Sequence, residues 1–253
     1  MFAEERKELI IKILQEKKRV TNKELNETLG VSGTTIRTYL SELEEQGQLV
    51  RTHGGAILIE DTIMAEDTIV SRKDKNKTEK TQIAKLARNM ISQGDTVLLD
   101  SGTTCLELAR ELRNIEDITV ITNDLRIALE IQKNPSIQAI FLGGTIRNNY
   151  ECTIGSAVIN ALQNYSVDKV FLSANALSMS KGATTPHIEN ALVKEAIMKS
   201  GNNKILLCDS SKIGKRTLCS FAKLTDFNFI ISDRMISDKD RKEIEDKGVK
   251  VLI

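Results

Sequence analysis

Val97-Leu98-Leu99-Asp100-Ser101-Gly102-Thr103-Thr104, residues 97–104, is the stretch on which the reading of this chain turns. Three aliphatic residues in a row, ended by an aspartate, describe a short strand buried in a parallel sheet. Ser101-Gly102-Thr103-Thr104 then lead into a helix carrying Leu106, Leu108, Ala109 and Leu112. A strand, a tight turn of small hydroxylated residues and a helix make an anion site for a simple reason. The first helical N–H groups lack partners, and the positive end of the helix dipole points the same way. A second reading stays open on this stretch alone, in which Ser101 or Thr103 merely caps the helix.

The pattern repeats along the chain. Strand candidates fall at 96–99, 118–122, 137–142, 169–173, 204–208, 227–231 and 249–253, with helical stretches near 104–113, 124–133, 156–163, 188–199 and 238–247. Such alternation predicts an α/β domain, a mostly parallel sheet covered by helices on both faces. Ligands of such sheets collect beyond the carboxyl ends of the strands, and polar groups gather there. They are Asp100 to Thr104, Asn123 with Asp124, Gly143 and Gly144 with Arg147, Asn175, and Asp209-Ser210-Ser211-Lys212. Any one of these reads equally as turn chemistry; their convergence is the evidence. Arg147, Lys194 and Lys212 bring positive charge for a phosphate, leaving hydroxyls and amides for sugar hydroxyls.

Composition sets the frame. A chain of 253 residues, 40% hydrophobic and 28% charged, has room for two domains or one large one. No apolar run reaches membrane-spanning length, and charge from Glu4 onwards argues against a signal peptide. The four cysteines show neither metal-ligand spacing nor a disulfide framework, which fits a cytoplasmic protein without metal or cofactor. Residues 1–60 hold nine Lys and Arg against ten Asp and Glu, so any basic surface there is local.

Those first residues read as a winged helix-turn-helix. Leu9, Ile10, Ile13 and Leu14 form one helical stripe. Thr21-Asn22-Lys23-Glu24 is a capping box that opens a second helix, Gly30 stops it, and Ser32 caps a third, closed by Gly47. The third helix exposes Thr34, Thr35, Arg37, Thr38 and Ser41, hydrogen-bonding groups suited to a major groove. Strand-like residues 48–53 and 56–59 flank Gly54-Gly55, a hairpin with a two-glycine turn. Arg51 and His53 are placed for DNA backbone or minor groove, and Lys18, Arg19 and Lys23 for phosphates. The charged residues 60–77 read as a linker, dividing a DNA-binding domain (1–59) from an effector-binding and oligomerisation domain (78–253). A small helical protein-interaction module is the competing reading of the first sixty residues.

Thr35-Ile36-Arg37, Leu40, Leu43-Glu44-Glu45-Gln46-Gly47 and Arg51-Thr52-His53-Gly54-Gly55-Ala56 resemble the N-terminal signature of the DeoR family of bacterial transcriptional regulators. Thr38-Tyr39 departs from it, where that family usually has Arg-Asp. Asp100 to Thr104, Thr122-Asn123, Gly143-Gly144 with Arg147, Lys194 and Asp209 to Lys212 resemble the family's effector domain, similar in fold to ribose-5-phosphate isomerase and CoA-transferase proteins. A second departure is Asn175-Ala176-Leu177, in place of a glycine-aspartate type of sequence. The resemblance spans roughly residues 3–232. It implies a sugar-phosphate pocket in which residues 101–104 hold the phosphate and Lys212 reaches into the site. The expected function is a repressor of sugar metabolism, a dimer or tetramer on paired half-sites, released from operator DNA by a sugar phosphate. The alternatives are a sugar-phosphate isomerase-like enzyme with an added DNA-binding domain, and a DNA-binding scaffold that only oligomerises. An isomerase needs a carboxylate base over the sugar carbon, and Asp100, Asp124 and Asp209 all adjoin strand ends, where aspartates commonly fix loops.

Overall fold

The structure, a computed structural model, describes residues 3–17, 19–45, 48–58 and 69–253. The chain divides into two compact units, Met1–Ile63 and Met64–Ile253. Lys18, Gly47, Ile59 and the first part of the expected linker lie outside the described residues.

In the first unit α1 (Ala3–Lys17) buries Ile10 and Leu14, and a short strand β1 (Arg19–Thr21) follows. The capping box opens α2 (Asn22–Leu29): Glu24 N–H donates to Thr21 Oγ1 at 3.2 Å, and Thr21 N–H to Glu24 Oε2 at 2.7 Å. Bonds from the Thr21 N–H and the Thr21 hydroxyl hold the Glu24 carboxyl below its ordinary pKa. Gly30 ends the helix in the left-handed region, φ 63°. Ser32 accepts the Thr35 N–H at the start of α3 (Gly33–Glu45), which packs Ile36, Tyr39, Leu40 and Leu43 inward. The wing is β2 (Leu49–Thr52) and β3 (Gly55–Leu58), and β1 joins it in the order β1-β3-β2. The turn is therefore His53-Gly54, not the two glycines: Gly55 is a strand residue paired with Thr52 and Thr21. A Cβ on Gly55 would lie 2.0 Å from the Val20 carbonyl oxygen, so the third strand, absent from the sequence expectation, is what requires glycine there.

The second unit begins inside the expected linker. Residues 69–74, in the run that reads as a solvated linker or helix face, form α4 (Ile69–Asp74), which leads through Asn76, in the left-handed region at φ 53°, into α5 (Lys77–Arg88). Next come β4 (Thr96–Leu99), α6 (Thr103–Glu111), β5 (Ile118–Thr122), α7 (Leu125–Ile131) and β6 (Ile137–Phe141). A hairpin of β7 (Thr145–Arg147) and β8 (Cys152–Ile154) precedes α8 (Ser156–Leu162) and β9 (Val167–Ser173). The strands β10 (Ala176–Ser178) and β11 (Gly182–Thr185) lead to α9 (Ile188–Ser200) and β12 (Gly201–Leu207). After them come β13 (Cys219–Ala222), β14 (Phe229–Ile231), α10 (Asp238–Asp246) and β15 (Lys250–Leu252).

Seven strands form one sheet in the order β15-β14-β12-β9-β4-β5-β6, every pair parallel. Side-chain alternation sends Leu98, Val170 and Leu206 to one face with α8 and α9, and Val97, Leu99, Phe171 and Ile205 to the other with α5 and α6. Both faces are dry, which is why the strands read as continuous apolar runs. The expected architecture is the observed one, with additions: β10, β11 and β13 form a small antiparallel sheet, and β7 and β8 a separate hairpin.

One buried ion pair ties the centre of this sheet to its cover. Asp100, at the end of β4, is wholly buried; its Oδ2 accepts the Ser173 N–H at 2.9 Å, the Ser173 hydroxyl at 3.2 Å and the Lys194 ammonium. Lys194, from α9, also donates to the Ser173 carbonyl at 2.9 Å. Three elements thus meet at one carboxylate. Truncating one partner would strand a buried charge, so Lys194→Met should cost about 3–5 kcal/mol in stability. Urea denaturation checks this, and a loss below about 1 kcal/mol would show the pair to be dispensable.

Candidate functional site

Strand order locates the site. From β4 the chain steps to β5 and β6 on one side, then returns to β9 on the other side and continues through β12. The order reverses between β4 and β9, and in such sheets ligands collect beyond the strand ends at the switch point. The residues that leave β4 and β9 there are Asp100 to Thr104 and Ser173 to Asn175.

The turn after β4 is built for close approach. A Cβ on Gly102 would lie 2.4 Å from Ser173 Oγ. The helix α6 has no side-chain cap, so neither Ser101 nor Thr103 plays the capping part open to it from sequence. One donor of the turn is already taken: Gly102 N–H reaches Asp124 Oδ2 at 3.2 Å. Asp124 also caps α7 and pairs with Arg126 at 2.6 Å. Burial raises its pKa, against the opposing pull of Arg126 and the backbone N–H groups. Thr104 is buried, and its hydroxyl has no hydrogen-bond partner among the described residues.

Two adjoining cavities lie at these strand ends, and Arg72 and Asn175 line both. The smaller is walled by Ser101, Gly102, Ser173, Asn190 and Lys194, and by Arg147, Tyr150 and Cys152 of the β7–β8 hairpin. Arg147 stacks on Tyr150 at 3.7 Å, in a loop where Asn149 and Glu151 both hold positive φ. Such backbone persists only when its surroundings impose it. The Asn175 N–H donates to the Thr184 carbonyl at 3.1 Å, and its Oδ1 accepts the Thr185 hydroxyl at 3.1 Å, so the small sheet fixes this residue.

The larger cavity, about 110 Å³, is lined by Arg72, Lys75, Asn76, Lys80, Thr103, Asn175, Asp209, Ser211, Lys212 and Lys215. That is several times the ~10–15 Å³ that one water needs. Among the described residues Asp209 is the carboxylate of this lining. Burial would push Asp209 up, but Lys212 at 3.0 Å, with hydrogen bonds from Ser211 and from Asn76 at 3.0 Å, holds it down at about 2. Lys80 is lowered to about 8 by burial and by the Lys212 and Arg72 charges, with Asp209 opposing. Its ammonium donates to the Arg72 and Lys75 carbonyls and so fastens the α4–α5 corner. Lys215 is lowered too, by burial and then by Lys75.

Seven of the expected ligand residues line these cavities: Ser101, Gly102, Thr103, Arg147, Asn175, Lys194 and Lys212. Five do not. Asp100 and Lys194 neutralise each other, so Lys194 reaches the cavity wall with its charge already balanced. Thr104 lies behind the turn, and Asn123 binds the Thr153 carbonyl at 2.8 Å. Gly143 and Gly144 also fall outside both linings, and a Cβ on Gly144 would meet the Ile154 carbonyl oxygen and Val158 at 2.9 Å. Sequence reading missed Arg72, Lys75, Asn76, Lys80 and Lys215. For Lys80 a signal existed, since it falls three, four and seven residues before the buried Ile83, Ala84 and Ala87, on an apolar stripe. The run 72–77, in contrast, looks like any solvated charge run.

The first unit presents its own surface. Thr34, Arg37 and Thr38 are exposed on α3, while Thr35 and Ser41 are half-buried, and Arg19, Lys23 and His53 are exposed. Thr35 shares a hydrogen bond with Ser32 at 2.9 Å. Arg51 donates to Ser41 Oγ at 3.2 Å, tying the wing to α3.

Comparison with known proteins agrees with both halves of this description. The DeoR-like helix-turn-helix domain matches residues 6–62, and the DeoR C terminal sensor domain matches residues 75–234. The HTH-type transcriptional regulator GolR of Listeria innocua is 34% identical over all of this chain and 99% of its own length. The HTH-type transcriptional repressor GlcR of Bacillus subtilis is 34% identical over all of this chain and 97% of its own. Among solved structures, ribose 5-phosphate isomerase of Methanocaldococcus jannaschii is 18% identical, with TM-score 0.42, over 55% of each chain. The chain therefore belongs to the DeoR family of transcriptional regulators and is a DNA-binding regulator, not an enzyme.

Proposed function

We propose that the chain is a repressor that leaves operator DNA when a phosphorylated sugar enters the cavities at the β4–β9 switch point. The observation that carries this reading is a cavity lined, among the described residues, by five cationic side chains and one carboxylate, set beside the N-terminus of α6, which has no side-chain cap. Phosphate is the biological group best matched to such a surface. Thr103 and Ser101 offer hydroxyls, and Asn175 and Asn190 offer amides for a sugar. The α4–α5 corner supplies Arg72, Lys75, Asn76 and Lys80, and it is the first described segment after the DNA-binding unit. A ligand gripping that corner acts on the chain close after the DNA-binding unit in sequence. Release requires that the ligand favour the DNA-free arrangement, and DNA must then weaken the ligand by the same factor. We assign α3 as the reading helix, with Arg37 as its base-contacting cation, and Arg19, Lys23, Arg51 and His53 to the backbone. A small recognition surface of this kind calls for paired half-sites and a symmetric oligomer.

Arg37→Ala should weaken binding to an operator selected from random DNA by roughly 1–3 kcal/mol and relax preference at one base, read by gel shift against single-base variants. Unchanged affinity and selectivity would remove α3 from the major groove. Lys212→Ala should leave DNA binding intact but raise the sugar-phosphate concentration needed for release. It loses a charge-assisted contact of about 1.5–3 kcal/mol and leaves Asp209 uncompensated beside the ligand. A release midpoint equal to that of the unmodified protein would exclude Lys212 from the site. Anion binding should also depend on pH. Lys80 is charged below about 8 and neutral above it, so sulfate, a dianion throughout, should bind more weakly at pH 9 than at pH 7. Calorimetry on the full chain decides this, and a flat profile would count against Lys80 as part of the anion field.

A further inference from the structure

The seven-stranded sheet has two outer strands, β15 and β6, and they end it differently. β15 is three residues long and carries an exposed Lys250; shortness and charge both discourage another strand from pairing there. β6 is five residues, Ile-Gln-Ala-Ile-Phe, with neither charge nor proline to protect it. It pairs with β5 on one side and, among the described residues, with no strand on the other.

The ladder shows which backbone groups are left over. The Ser136 carbonyl accepts the Asp117 N–H at 3.1 Å, and the Leu142 N–H donates to the Thr122 carbonyl at 2.8 Å. By alternation Gln138 and Ile140 also turn both groups toward β5, and Ala139 and Phe141 turn theirs outward. The Ile137 carbonyl points outward too, while its N–H is taken by the Asn134 carbonyl at 3.2 Å. Ala139 and Phe141 are exposed, and so are Leu129 of α7 and Ile146 of β7 on the neighbouring elements.

Charge beside this edge is met within the chain. From Leu125 to Phe141 the charged residues are Arg126, Glu130 and Lys133. Arg126 pairs with Asp124 at 2.6 Å, and Glu130 with Arg113 at 2.6 Å and Lys133 at 2.8 Å. The strand is also complementary to itself. In an antiparallel pair centred on Ala139, the two Ala139 residues exchange both N–H···O bonds, and each Phe141 N–H meets the partner's Ile137 carbonyl. Small side chains then meet at the axis. Phe141 lies across from the partner's Ile137, an aromatic against a β-branched residue, and Gln138 across from the partner's Ile140.

We propose that β6 joins two copies of this chain, their sensor-domain sheets made continuous by antiparallel pairing about a two-fold axis at Ala139. The inference rests on the symmetric oligomer of the reading above and gives that oligomer an interface.

The test is sedimentation equilibrium of the full chain with charge placed on the axis. Ala139→Glu and Ala139→Lys each set like charges opposite one another, and each should weaken self-association about ten-fold or more. In an assembly larger than a dimer the same change should halve the mass. An equal mixture of the two variants should re-form the lost assembly as a mixed species, which a merely structural defect would not do. Where a charge at 139 prevents folding, read by circular dichroism, Phe141→Ser takes its place and should weaken association likewise. Association unchanged in the folded variants would overturn this interface and leave the symmetric oligomer standing. Weakening by both charges without recovery in the mixture would also overturn it, since Ala139 would then not face its own copy. An unmodified chain that stays monomeric at every concentration would end the oligomer reading and this one together.

Discussion

Asp100 sits where two chain directions part, and its charge is met from three elements at once. The β4 strand delivers the carboxylate, β9 delivers the Ser173 N–H and hydroxyl, and α9 delivers the Lys194 ammonium. A carboxylate buried without these partners would not remain ionised, and a lysine buried without the carboxylate would lose its proton. Each is tolerable only because the other is present. The pair also sets the floor of the site: Ser173, which it holds, is the residue against which Gly102 closes, and the Gly102 turn forms the wall shared by both cavities.

A division of labour among the charged residues follows. Asp100 with Lys194, and Asp124 with Arg126, are internal ties whose charges cancel at short range. Asp124 in particular takes the Gly102 N–H, a donor that a ligand would otherwise have found. Other charged residues line the cavities from the rim: the α4–α5 corner, the turn at Ser210–Lys212 and the β7–β8 hairpin. Asn76 joins two of these, donating to Asp209 at 3.0 Å and to Ser211 at 2.9 Å. The scaffold is thus held by neutralised pairs.

The same economy of partners separates this site from a catalytic one. Asp209 is the carboxylate at the larger cavity, and Lys212, Ser211 and Asn76 hold it ionised near pKa 2. A base that weak is poorly matched to proton abstraction at neutral pH. Asp100 and Asp124, at two other strand ends, are buried in pairs with Lys194 and Arg126.

Local chemistry determined most of the fold. The apolar runs at 97–99, 118–121 and 205–207 fix buried parallel strands because both of their faces must be dry. The capping box at Thr21–Glu24 and the left-handed Gly30 fix α2 within four residues of each end. The helix-turn-helix and the strand–turn–helix of β4 and α6 were legible for that reason, since each is built from neighbours in sequence. Tertiary structure decided what depends on distant partners. Gly55 is a strand residue because Val20 lies against it, and Gly144 is a packing residue because Ile154 and Val158 do. Lys194 balances Asp100, 94 residues away in sequence. The charged run 72–77 has the composition of a solvated connector, and only the fold brings it beside Asp209 and Lys212. Charge is a long-range property, so which cations share a cavity is set by where the chain returns and not by local pattern.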